Sequence, residues 1–132
     1  MIVVDTSVWI EFFRDTGHRV ALELDRLIDE EDLAITEVVL MELLAGATSP
    51  RAERRMRVRL DRLPILPLLG AADYQAAARL WRACRAGGRT VRSLFDCLIA
   101  VPTIRAGAAL LHRDADFDAI AGHSDLRIHS WR

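Results

Sequence analysis

Two helical runs in this chain each enclose one acid among apolar side chains. That restricts the fold to one giving both acids a partner or a shared purpose. In VVLMELLAG, residues 38–46, Glu42 is crowded by Val38, Val39, Leu40, Met41, Leu43 and Leu44. In SLFDCLIAV, residues 93–101, Asp96 has the same setting. An ionised carboxylate buried alone costs many kcal/mol, so each acid must meet an arginine, a cap or a cation.

The runs between these helices are short and apolar. IVV (2–4), LAIT (33–36), AALLH (108–112) and the closing LRIHSW (126–131) read as strands, and PILPLL (64–69) as a short edge strand whose prolines keep it from a sheet centre. Helical patterns lie between them: SVWIEFFR, then HRVALELDRLIDEE with Val20, Leu24, Leu27 and Ile28 facing inward, then the Glu42 helix capped by Thr36 and stopped at Gly46. Ser49-Pro50 opens an arginine-rich helix over 50–62. Helix 71–86 ends at Gly87-Gly88, Ser93 opens the Asp96 helix, and RDADFDAIAG turns into a short last one. Strands alternating with helices predict an α/β fold with a parallel sheet, and 132 residues make one domain, 1–132.

In such a sheet the ligand site lies beyond the carboxyl ends of the strands. Asp5 ends the first strand, and Asp114 and Asp116 follow the strand at 108–112, so these acids face one edge. Each acid also has a plain structural reading. Asp5 can cap the following helix, Ser93 and Asp96 match a capping box, Glu42 can pair with a buried arginine, and RDADFD can be a solvated turn. Taken together, three acids at strand ends and two on apolar helices exceed what one arginine neutralises. Their all-oxygen donor set suits a hard cation, Mg²⁺ or Mn²⁺, and metal-assisted attack of water on a phosphodiester. His112 lies inside a strand and reads as a core or edge histidine.

Composition excludes several alternatives. All eighteen basic residues are arginine. A P-loop nucleotidase or a Schiff-base enzyme, each needing a lysine, is therefore ruled out. Cys84 and Cys97 match no zinc spacing and read as reduced packing residues. No run is long enough to span a bilayer and MIVVDTS is no signal peptide, so a cytoplasmic location is expected. Net charge is −1, but residues 51–62 carry +4 and residues 79–92 carry +5, against −8 over residues 1–50. The two basic runs are either solvated faces or a groove that tracks phosphates.

VDTSVW, the acid in VVLMELLAG, VRSLFDCLIA and LLHRDADFD resemble, in that order and spacing, the PIN domain, and most of all the VapC toxins of bacterial toxin–antitoxin pairs. The likeness runs from residue 2 to about residue 120. It implies a metal-dependent ribonuclease with a mostly parallel sheet flanked by helices in three layers. By this resemblance the catalytic acids fall on Asp5, Glu42, Asp96 and Asp114, with Asp116 as neighbour or co-ligand of the metal. Thr6 or Ser7 would stand ready for a water or a phosphate, and Arg92 would bind substrate. It further implies a homodimer, structured RNA such as transfer RNA as substrate, and an antitoxin whose C-terminal segment covers the active-site groove. Pro102 departs from the pattern, since it falls inside the Asp96 helix and is expected to kink its far end. An inactive PIN-like module that binds RNA or a partner is the alternative. An aspartyl-phosphate phosphatase is a weaker one, because it wants a second Asp two residues after Asp5 and position 7 is Ser.

Overall fold

The computed structural model describes all residues 1–132. Its sheet has five strands, all parallel, in the order β3-β2-β1-β4-β5. The strands are β1 (Ile2–Val4), β2 (Leu33–Thr36), β3 (Ile65–Leu66), β4 (Ala109–Leu111) and β5 (Arg127–Ile128). Seven helices flank them: α1 (Thr6–Phe13), α2 (Arg19–Glu30), α3 (Glu37–Ala45), α4 (Pro50–Leu60), α5 (Ala71–Ala86), α6 (Leu94–Arg105) and α7 (Ala115–Ala121). β1 and β2 are buried at every position, as their unbroken apolar runs require of central strands covered on both faces. The two-residue strands β3 and β5 form the edges, and the prolines around β3 suit it to that place.

Strand order places the site. From β1 the chain builds outward through β2 to β3, then crosses back to lay β4 against the other side of β1. The order reverses between β1 and β4, and at such a switch point the loops leaving two neighbouring strands part and open a crevice. Asp5 leaves β1 there and His112–Asp114 leave β4; the Asp5 N–H donates to the Leu111 carbonyl at 2.9 Å, joining the two exits.

The helix starts follow from local chemistry. Thr36 caps α3 through Val39 N–H, and Ser49 caps α4 through Ala52 N–H with Pro50 in the first turn. α6 runs unbroken through the buried Pro102, so the kink expected there does not end the helix. Directly after it, the Thr103 hydroxyl donates to the Ile99 carbonyl one turn back at 2.8 Å. The core joins Trp9, Leu24, Leu27, Ile99, Leu110 and Phe117, all fully buried. Cys84 and Cys97 are free and buried, and burial pushes the Cys97 thiol up to about 12, which leaves it unreactive.

Candidate metal centre

Asp5 caps α1 and is also a candidate metal ligand. Its Oδ2 accepts from the Ser7 N–H at 3.0 Å and the Ser7 hydroxyl at 2.6 Å, which leaves Oδ1 for a ligand. Burial raises its pKa to about 6 against those bonds, with the Glu42 charge adding to the rise. Glu42, on α3, has no arginine; its Oε1 accepts from the Thr6 hydroxyl at 2.7 Å. Thr6 and Ser7, expected to face a water or a phosphate, thus bond to two of the acids. Ser7 Oγ also accepts from the Arg113 N–H at 2.9 Å, tying the β1 exit to the β4 exit.

Asp96 is the least compensated acid. Ser93 caps α6 through the Phe95 N–H, and the Asp96 carboxylate takes no part in that cap. Only 9% exposed, Asp96 is pushed up to about 7, first by burial and then by the charges of Asp114, Asp5, Asp116 and Glu42. No hydrogen bond or cation offsets them. Every one of the other four acids therefore acts on Asp96, and its capping-box reading is set aside.

Asp114 and Asp116 are the cap and first turn of α7 rather than a solvated turn. Asp114 caps α7 by accepting the Asp116 N–H at 3.0 Å, and Asp116 is 8% exposed. Here an arginine does enter: Arg92 Nε donates to Asp116 Oδ2 at 3.0 Å and its Nη2 to Asp114 Oδ1 at 3.1 Å. Arg92, expected to bind substrate, lays its side chain on two of the acids. Carboxylate oxygens of Asp96, Asp114 and Asp116 lie within 4.8 Å of one another. Asp5 and Glu42 border this triad, close enough to raise the Asp96 pKa.

His112, expected to be a core or edge histidine, is buried. Its Nδ1 accepts the Asp114 N–H at 3.0 Å, so the ring proton sits on Nε2, 3.2 Å from Asp118 Oδ1. Burial holds this imidazole below its ordinary pKa, and it shapes the loop that carries Asp114. Its spacing of two residues from Asp114 was the available signal.

The donor set fits a hard divalent cation. It is all carboxylate, converges from four elements, and contains one buried acid that no ion pair of its own compensates. The arginine runs are partly committed elsewhere. Arg55 donates to the Phe13 carbonyl, Arg59 lies over the Phe12 ring and Arg85 over Trp81. Arg79, Arg82 and Arg89 stay exposed on or after α5.

Comparison with known proteins agrees with this geometry. The PIN domain matches residues 2–123. Over 134 aligned residues covering all of both chains, the sequence is 46% identical to a VapC ribonuclease of Mycobacterium bovis and to ribonuclease VapC11 of Mycobacterium tuberculosis. Among solved structures, VapBC2 of Rickettsia felis, bound to a promoter DNA fragment, superposes with a TM-score of 0.77 at 21% identity, covering both chains fully. A parallel five-stranded sheet with its acids gathered at the switch point, and full-length likeness to these ribonucleases, place the chain in the PIN-domain family, among the VapC proteins.

Proposed function

We propose that this chain is a divalent-metal-dependent endoribonuclease and the toxin of a type II toxin–antitoxin pair. The carrying observation is Asp96: a buried carboxylate with no hydrogen bond or ion pair of its own, facing four other acids, makes chemical sense once a cation joins them. Asp5 and Asp96 would hold the principal Mg²⁺, with Mn²⁺ as a substitute. Glu42 and Asp114 would bind directly or through water, and Asp116 would complete the ring or hold a second ion. When bound, the ion supplies stabilisation of the charge that develops on the scissile phosphate.

The chain's own groups do the rest. Thr6 aims Glu42, and Ser7 fixes Asp5 against the Arg113 backbone. A carboxylate of the set takes a proton from the attacking water; the water's oxygen bonds to phosphorus as the bond to the leaving ribose oxygen breaks, and that oxygen takes up a proton from solvent. The free arginines after residue 78 suit the RNA backbone, with structured RNA such as transfer RNA as substrate. An antitoxin's C-terminal segment would cover the same groove; the likeness to the VapBC2 assembly of R. felis supports an antitoxin partner. An apolar groove floored by the buried Val38 and Leu98 and rimmed by the exposed Met41, Tyr74 and Phe95 supports a homodimer, since such a surface is rarely left uncovered. No helix is long and apolar enough to cross a membrane, in keeping with action in the cytoplasm.

Cleavage of total RNA with and without Mg²⁺, with the new ends mapped, tests this reading. Discrete internal cuts that need the metal support it. Asp96→Asn is expected to lower the rate by at least about 100-fold while the fold persists. Undiminished magnesium-dependent cutting by that variant overturns the assignment, and RNA binding without any cutting favours the inactive module.

A further inference from the structure

Arg92 makes three contacts with the acids, and they differ in kind. Its side chain spans Asp116 and Asp114 with Nε and Nη2, while its backbone N–H donates separately to Asp116 Oδ2 at 3.1 Å. The side chain is 75% exposed, so water can reach it and nothing packs it down. The backbone beneath is fixed. Val91 is buried, and the Trp81 indole N–H donates to its carbonyl at 3.0 Å. Arg92 therefore has an anchored main chain and a free arm.

A divalent cation on Asp116 Oδ2 and Asp114 Oδ1 would stand against the guanidinium that spans them, and two positive charges in contact repel strongly. We propose that the Arg92 side chain is a removable counter-charge: it bridges Asp114 and Asp116 in the metal-free protein and is displaced when a divalent cation takes their oxygens. Asp116 is not lost in the exchange, because the Arg92 N–H still holds it. The displaced arm stays at the rim of the crevice. Arg92 thus sets how readily metal enters, apart from any contact with RNA.

The inference rests on the metal-centre reading above, so the experiment separates the two. Mn²⁺ is titrated calorimetrically, without RNA, into the full-length wild type, Arg92→Ala, Arg92→Lys and Asp96→Asn, each checked for folding by circular dichroism. Removing an exposed ion-paired competitor should tighten Mn²⁺ binding by roughly three- to tenfold in Arg92→Ala. Lysine, one point charge in place of a fork, should fall between alanine and wild type. If wild type binds Mn²⁺ and Asp96→Asn does not, yet Arg92→Ala binds no more tightly than wild type, the displacement idea is wrong and the metal centre stands. If wild type takes up no Mn²⁺, both readings fall.

Discussion

Asp96 and Asp5 carry the electrostatic strain of the site. Their pKa values, about 7 and about 6, lie above the ordinary carboxylate value, so in the metal-free protein they stay protonated where an unfolded chain would ionise. Stability from such groups is full below about pH 4 and is lost as pH rises through the folded value. The opposite trend comes from His112, whose lowered pKa favours the fold at higher pH, so a single melting curve mixes the two. The difference between Asp96→Asn and wild type isolates Asp96. With a chelator present, the melting-temperature advantage of Asp96→Asn should widen from pH 5 to pH 8, and a gap independent of pH would refute the burial argument. Thr6→Val is the companion test. It keeps the shape and removes the hydroxyl that orients Glu42, and ligand-supporting groups of this kind are worth about 10- to 100-fold in metal affinity or activity. Metal titration and RNA cleavage should both register the loss.

Elements place these residues by their starts and ties. Thr36 is fully buried and begins the helix that carries Glu42 six residues later. Thr36→Ala should lower stability by about 1–2 kcal/mol in urea denaturation, the usual worth of such a cap. α5 and α6 are joined by Arg105, which meets the buried Asp73, while the Leu69 N–H donates to the other Asp73 oxygen at 2.7 Å. The Arg105 bond holds the Asp73 carboxyl below its ordinary pKa, so its contribution is present above about pH 4 and fades as pH falls. Arg105→Ala should therefore cost about 1–2 kcal/mol at neutral pH, with the gap closing in acid. Constant destabilisation down to pH 2.5 would mean that Arg105 acts by packing alone.

At the scale of the whole molecule, metal binding and folding are one equilibrium. Each added cation that binds only the folded chain stabilises it, by about 2.7 kcal/mol at a hundred times its Kd. Mg²⁺ should raise the melting temperature of the wild type and leave that of Asp96→Asn nearly unchanged. What the chain itself determined is the list of parts. Apolar runs of β-branched residues predicted β1 and β2, Thr36, Ser49 and Gly46 marked helix ends, and lone acids in apolar helices pointed to a shared charge. Those signals are local, written by neighbours within a turn or a strand. Tertiary structure alone decided what each polar group meets. Ser7 reaches the Arg113 backbone 106 residues away, Thr6 finds Glu42 across 36, and Arg92 closes on Asp116 across 24. No spacing rule encodes such meetings, because they arise where β1 and β4 part at the switch point and bring distant loops within hydrogen-bond reach.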